Sequence, residues 1–381
     1  METCDCLVVG GGPSGSSCAR ALVQSGLDVL VLDKAVFPRD KVCAGWITPA
    51  VVEELQIDLN DYRRERTLQP ITGFRTGLLR QPQVHTRYGH VVSYGIRRCE
   101  FDHYLLQRSG ARLQLGQPFK TLRREQDQWI VNDEIRTPLV VGAGGHFCPV
   151  ARIVAGESGE TTVVMAQEIE FEMSADEVAQ CQVEPEIPEL YFCDDLRGYA
   201  WCFRKGNFLN IGLGREDESQ LSTHVAAFCD ALQKAGRVPL GTRHRFHGHA
   251  YRLYRGRPRQ STVDGVVLIG DSAGLAYPQS GEGIRPAIES GLLAAGAIIE
   301  ARDGNGGDYR QAVLADLERR IIARFGRFHA PADRRSLFPN AWSQALARRL
   351  LATRWFTRHI LIDRWFLHSN QPALTTVLRT L

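Results

Sequence analysis

The chain has 381 residues, 44% hydrophobic and 23% charged, with a formal net charge of +3. That length suits two domains or one elaborated one, and the balance excludes a chain too polar to bury a core. No apolar run reaches the ~18 residues of a spanning helix. The ten cysteines include no CxxC, so free thiols in a reducing cytosol are expected.

The N-terminus enters an apolar segment with no charged stretch before it, so no signal peptide is expected. Cys6 to Val9 reads as a short buried strand. Gly10, Gly12 and Gly15 follow with GxGxxG spacing. The first permits a tight turn, the second lets backbone approach a diphosphate, and the third lets the next helix pack on the strand. Ser14 to Gln24 is predicted as that helix, its first amides facing phosphate oxygens. A second strand ends at Asp33, placed to accept from a ribose hydroxyl. The motif alone serves FAD and NAD equally.

Next comes "DKVCAGWITP", a loop carrying Lys41, Cys43, Gly45 and Trp46. Cys43 fits two readings, a reactive thiol or a small buried filler. "RRCEFDHYLL" predicts a helix opening at Arg98 with Asp102 in its first turns. "PLVVGAGGHFCPVAR" repeats the strand-plus-glycine pattern at Gly142, Gly144 and Gly145.

Residues 70–93 and 162–252 alternate apolar and polar side chains, as antiparallel strands of a substrate-binding sheet do. Within them, Tyr199, Trp201 and Phe203 would share one face of a strand. Such a stripe is either core or the wall of an apolar cavity. Val266 to Ile269 is another apolar strand, ending at Gly270-Asp271. Pro278, Gly281 and Gly283 then lead into a long helix of small residues.

After Asp303, "GNGGDYR" reads as a flexible break and the remainder as helix. From Arg319 onward there are twelve arginines against two acids, a net of +10, which leaves about −7 for the rest. Leu351, Trp355, Ile362 and Phe366 recur at roughly helical spacing, beside Arg348, Arg349, Arg354 and Arg358. This basic arm suits either an anionic membrane surface or a cap on the substrate domain. No nucleic-acid recognition motif appears, and none is expected as partner.

Three strand-plus-glycine units with Asp33 after the first resemble the FAD-binding fold of the para-hydroxybenzoate hydroxylase class. The resemblance implies an α/β protein: a Rossmann-like FAD-binding domain (1–69, 94–160 and 262–305), an antiparallel-sheet substrate domain (70–93 and 161–261) and a C-terminal helical arm (306–381). It implies FAD contacts from Gly10, Gly12, Pro13, Ser14, Gly15, Asp33, Lys34 and Arg39. Cys43, Ala44, Gly45 and Arg98 would add to these, with the 40–49 loop running towards the flavin ring. So would Gly142, Ala143, Gly144, Gly270 and Asp271, the last at the ribityl or diphosphate region. Amides from Gly281 through Gly283 to Ile284 would point at the flavin's N1 edge, where a helix N-terminus stabilises negative charge.

"FPRDKVCAG" and "LRGYAWCFRKGNFLNIGLG" resemble one branch of that class, the geranylgeranyl reductase family. Tyr199, Trp201 and Phe203 match its PxxYxWxFP pattern, with Leu196 and Arg204 in place of the two prolines. The branch implies reduction of carbon–carbon double bonds in an isoprenoid or other lipid-like substrate. Trp46, Tyr199, Trp201, Phe203 and Pro278 would bind that substrate, and Cys43 is the candidate catalytic side chain. The alternatives are an FAD monooxygenase, of hydroxylase or halogenase type, and a flavin-binding protein without turnover. No metal is expected. There is no second GxGxxG, so the electron donor is open between NAD(P)H bound transiently, ferredoxin and another reductant. The substrate's identity and the oligomeric state are open too. The expected location is cytoplasmic, with peripheral membrane attachment if the arm binds lipid.

Overall fold

Segments that are apolar without alternation become strands buried on both faces, the pattern of a parallel sheet. Cys6–Val9, Val140–Gly142 and Val266–Leu268 are wholly buried, and Val29–Asp33 is buried up to its last residue. The computed structural model describes residues 1–79, 81–155, 163–216, 220–239, 245–254, 262–304, 309, 311–326 and 340–374. It divides into two units. The first comprises Met1–Asp40, Cys99–Thr162 and Tyr251–Ala332; the second comprises Lys41–Arg98, Val163–Ala250 and Asp333–Leu381.

In the first unit six strands follow the order Thr262–Val263, Val266–Leu268, Val140–Gly142, Cys6–Val9, Val29–Asp33, Arg112–Leu115. All pairs are parallel except the outermost, at Thr262–Val263. Strand Cys6–Val9 lies where the order reverses, so its carboxyl end opens on a crevice suited to a ligand. Helix Pro13–Gln24 packs on helix Ile284–Gly304, where a Cβ on Gly291 would lie 2.4 Å from the Ser14 carbonyl oxygen. Buried Glu289 holds helix Gln311–Phe325 to this layer, accepting from Arg285 Nε at 2.8 Å and Arg324 Nη2 at 2.6 Å. A further four-stranded sheet joins Glu2–Thr3, Ile135–Thr137, Gln128–Val131 and Leu122–Glu125. Its short, charge-rich strands give no clear period-two signal in the sequence.

The second unit is built on a seven-stranded sheet, ordered His247–Arg252, Val163–Glu172, Phe208–Arg215, Gly198–Lys205, Glu189–Phe192, Gly73–Leu78, Val84–Arg87. It was expected to be antiparallel; it is mixed, because Glu189–Phe192 runs parallel to Gly73–Leu78. One face carries Ile169, Ala200, Cys202, Ile211 and Leu213, packed with Leu221, Val225, Phe228 and Leu232 of helix Leu221–Lys234. That contact is the unit's core.

The unit boundaries depart from the expected domains. Residues 41–69 group with the second unit because strand Trp46–Ile47 pairs with Ser93–Ile96, which in turn pairs with Leu68–Ile71. The basic arm divides likewise: helix Gln311–Phe325 belongs to the first unit and residues from 333 to the second. Most of the "GNGGDYR" break lies outside the described residues.

The arm is not one continuous helix. Asn340–Leu351 is followed by the short Arg354–Phe356 turn and a π-helix, Thr357–Phe366. The wider winding ends with the Leu367 amide donating to the Ile362 carbonyl, five residues back. Consequently the four apolar residues do not share one face. Leu351, Ile362 and Phe366 are buried, whereas Trp355 is 66% exposed. No helix among the described residues is long and apolar enough to cross a membrane.

Candidate functional site

In the first unit the glycines set the geometry. Gly10 takes φ +117°, and a Cβ there would lie 2.4 Å from the Ala143 carbonyl oxygen. A Cβ on Gly15 would lie 1.9 Å from the Gly10 carbonyl oxygen, so the helix start is pressed onto the turn. Gly142 would meet Leu268 at 2.6 Å, and Gly270, at φ +59°, would meet Ser14 Oγ at 2.9 Å. These contacts bring Gly10, Ser14, Gly15, Gly142, Ala143 and Gly270 together at the carboxyl ends of three adjacent strands.

Gly12 is different. It is the N-cap of helix Pro13–Gln24, with no side-chain cap, and a Cβ there would meet only Arg39 Nη2, at 3.5 Å. Uncapped amides at a helix start, with open space before them, fit an anionic diphosphate. Arg39 lies beside this start, paired with buried Asp102 at 3.3 Å and stacked over Phe37. Asp33 accepts from the Gly11 amide at 2.7 Å and the Ala35 amide at 2.8 Å. Its carboxylate has about four acceptor positions, so capacity remains for ribose hydroxyls. Asp271 sits in the Gly270–Ser272 turn, 3.2 Å from a Cβ built on Gly283, just before helix Ile284–Gly304. The donor set, the uncapped helix and the space at Gly12 fit the adenosine diphosphate half of FAD. Gly144 sits against Cys148, and Lys34 is exposed.

In the second unit, residues directly opposite on neighbouring strands point to one face. Glu168 opposes Gly212, which opposes Trp201; Glu170 opposes Asn210, which opposes Phe203. Tyr199, Trp201 and Phe203 therefore line one face, away from the Leu221–Lys234 core. Trp201 lies across Gly212, where any Cβ would strike its ring at 2.2 Å. Trp46 stacks on Phe203 at 5.0 Å and meets Phe366 at 5.8 Å; Tyr199 meets Phe366 at 5.4 Å. The expected residues Trp46, Tyr199, Trp201 and Phe203 thus form one aromatic group, joined by Phe366 from the arm. Pro278 belongs to the first unit.

A polar cluster borders the aromatics. Trp201 Nε1 donates to Asn210 Oδ1 at 2.7 Å, and Asn210 Nδ2 donates to the Cys43 carbonyl oxygen at 3.3 Å. Buried Lys205 donates to Glu170 at 2.8 Å. Burial works against charge on Glu170, but Lys205, Arg97 and Asn210 outweigh it and hold the carboxyl below its usual range. Glu168 goes the other way. Burial pushes it up to about 7, although the Cys43 backbone N–H, Lys205 and Arg98 oppose the rise. Gly45, at φ +70°, leaves room for Ile96 and Lys205; a Cβ would lie 2.6 Å from Lys205 Nζ. Lys41 Nζ lies 2.6 Å from His249 Nε2. Cys43, Ala44 and Gly45 therefore run along the aromatic face, and Arg98 is buried in the same unit. Sequence reading missed Glu168, Asn210, Lys205 and Phe366. A lone Glu in "MAQEIEFEM" looks like the solvated side of a strand until its register against Gly212 is known.

The motif departures have structural counterparts. Leu196 takes φ +59°, a conformation closed to proline. Arg204 donates to the Gly206 carbonyl at 2.9 Å, bracing the turn between the two central strands.

Among the described residues no group of His, Cys, Asp or Glu could hold a metal ion. A family model described as an FAD binding domain matches residues 3–312. The chain is 29% identical over 365 residues to the menaquinone reductase of Mycobacterium tuberculosis, covering 88% of this chain and 84% of that one. It is 27% identical over 357 residues to the digeranylgeranylglycerophospholipid reductase of Thermoplasma acidophilum, covering 86% of each. A solved geranylgeranyl bacteriochlorophyll reductase-like protein from Thermoplasma acidophilum has the same fold, with a TM-score of 0.74 at 22% identity, over 100% of this chain and 96% of that one. Flavin-dependent halogenase and monooxygenase structures share the fold as well. The chain belongs to the FAD binding domain family and is an FAD-dependent oxidoreductase of the geranylgeranyl reductase type.

Proposed function

We propose that the protein reduces carbon–carbon double bonds of an isoprenoid or similarly lipid-like molecule. The observation that carries this reading is the aromatic group of Trp46, Tyr199, Trp201, Phe203 and Phe366 on one sheet face. A hydrocarbon chain offers no hydrogen-bonding handle, so its recognition rests on apolar surface and shape. Both reductases named above are similar along most of their length, which supports the reading.

Bound FAD, once reduced, supplies hydride to one carbon of the double bond. The chain's part is to hold, orient and keep dry. Helix Pro13–Gln24, Asp33 and Arg39 would hold the diphosphate and ribose, and Asp271 with the start of helix Ile284–Gly304 would hold the flavin side. Trp46, Tyr199, Trp201 and Phe203 would position the alkene, which carries no charge for an acid to recognise, so orientation contributes much of the rate. Cys43 borders this wall and would tune its polarity or serve as a proton source. NAD(P)H, ferredoxin or another reductant would supply the electrons.

The experiment is to reduce the purified holoprotein without oxygen and add a geranylgeranyl glycerol ether. Flavin reoxidation with saturation of the chain supports the reading. Inertness to alkenes, with oxygen-dependent hydroxylation or halogenation of an aromatic compound, replaces it with a monooxygenase.

We also propose that the arm touches anionic lipid. Leu346 and Trp355 are exposed, and Arg349 and Arg354 are exposed beside them. Trp with Arg on one surface suits a lipid interface. The buried side of the same arm caps the second unit through Phe366, and Asp363 accepts from Tyr88 Oη at 2.5 Å. The two expectations for the arm are thus compatible.

A further inference from the structure

We propose that Glu168 is the proton donor of the alkene reduction, a role that rests on the reductase reading above. Three observations support this role. Glu168 stands two strands from Trp201, on the aromatic face, with only Gly212 between them. Its side chain is 5% exposed, and Oε2 is buried with no hydrogen-bond partner among the described residues. The Cys43 backbone N–H favours its ionised form, which sets the carboxyl beside the loop that also carries Trp46.

A buried carboxylate oxygen without a donor is costly, whereas a carboxylic acid tolerates that environment far better. The charged groups around it are Lys205, Glu170 and Arg98. Lys205 is already committed to Glu170 at 2.8 Å, so the pair divides the labour: Glu170 is the anion and Glu168 the acid. The same contrast of two carboxyls in unlike environments marks acid–base sites generally.

The step balances. Hydride addition at one carbon sends the π pair to the other carbon. That carbon forms a C–H bond with the proton of Glu168 as the O–H bond breaks. The carboxylate left behind is stabilised by the Cys43 N–H, Lys205 and Arg98, and regains a proton from water before the next turnover. Burial pushes Glu168 up to about 7, which keeps much of it protonated near neutral pH.

The competing role is a brace, in which Glu168 merely pins the Cys43 loop. Glu168→Gln separates the two, because the amide oxygen still accepts from the Cys43 N–H but carries no acidic proton. The test uses FAD-loaded wild type and E168Q. In infrared spectra recorded from pH 5 to 9, wild type minus E168Q should show a protonated-carboxyl band that fades as pH rises through about 7. The subtraction cancels buried Glu282, which burial also pushes up to about 7. In anaerobic single turnover with a geranylgeranyl glycerol ether, E168Q should be slower by roughly 10²-fold. The wild-type rate should fall above about pH 7, and that fall should vanish in E168Q. FAD content should be unchanged, and Glu168→Asp, which keeps an acid, should recover part of the rate. An active wild type with an equally fast E168Q, or no titrating band, overturns the role of Glu168 alone. A wild type inert to the alkene overturns the reductase reading, and this role with it.

Discussion

Gly12 and Gly15 occupy one motif but answer to different constraints, and Gly12→Ala and Gly15→Ala should separate them. A Cβ at position 15 lies 1.9 Å from the Gly10 carbonyl oxygen. An ordinary contact needs the helix start to retreat by about 1.5 Å. It cannot do so freely. Gly10 is tied by its amide to Leu32 at 2.9 Å, and Gly291 presses on Ser14 from the other side. Overpacking of this kind costs about 1–3 kcal/mol, and hydrogen bonds to a charged group lost from the displaced amides cost about 1.5–3 kcal/mol. Gly15→Ala should therefore melt at lower temperature without flavin and bind FAD about tenfold to a hundredfold more weakly. Gly12 has an extended backbone, φ −75° and ψ −176°, and only the flexible end of Arg39 near its missing Cβ. Gly12→Ala should leave flavin-free stability within about 0.5 kcal/mol yet weaken FAD at least about tenfold, because the methyl occupies the diphosphate's approach. Thermal melts of deflavinated protein and fluorescence-quenching titrations with FAD measure both quantities. Wild-type FAD affinity in Gly12→Ala would refute the placement of the diphosphate.

Two further predictions concern the second unit. The hydrogen bonds that hold the Cys43 loop use its backbone, to Asn210 and Glu168, so Cys43→Ser should keep the fold and the flavin while changing turnover or the number of bonds reduced; unchanged kinetics on the alkene would make the thiol filler. Wild type should float with phosphatidylglycerol vesicles at low salt and release at high salt, and Arg349→Glu with Arg354→Glu should not float; equal flotation of that variant would remove the arm from the lipid contact.

The first unit was legible because its constraints are local. The apolar strand Cys6–Val9, the glycines at fixed offsets and Asp33 are all read from one continuous stretch of sequence. The pairing of Ser14 with Gly270 is implied only by the repeated strand-plus-glycine pattern, and its closeness comes from packing 256 positions apart in the chain. In the second unit the Tyr199-Trp201-Phe203 stripe was visible by period two, but its companions were not. Glu168 gains its meaning from register against Gly212, and Phe366 from the return of the arm to Trp46. Trp355 departs from its expected face because the chain breaks its helix and then winds as a π-helix, a change no periodicity announces. The mixed seven-stranded sheet has the same origin, since strand direction depends on long connections rather than on alternation.

Hydride and proton addition across an alkene is read from isotope placement in the product. The holoprotein, reduced without oxygen in D₂O, is given one equivalent of a geranylgeranyl glycerol ether, and the product is read by mass spectrometry and NMR. The expected product has a saturated bond with one new hydrogen on each of its two carbons, both drawn from the flavin and the exchangeable protein–solvent pool, and no oxygen gained. A product that instead carries oxygen or halogen, or an untouched alkene beside flavin that turns over only with oxygen, would contradict it.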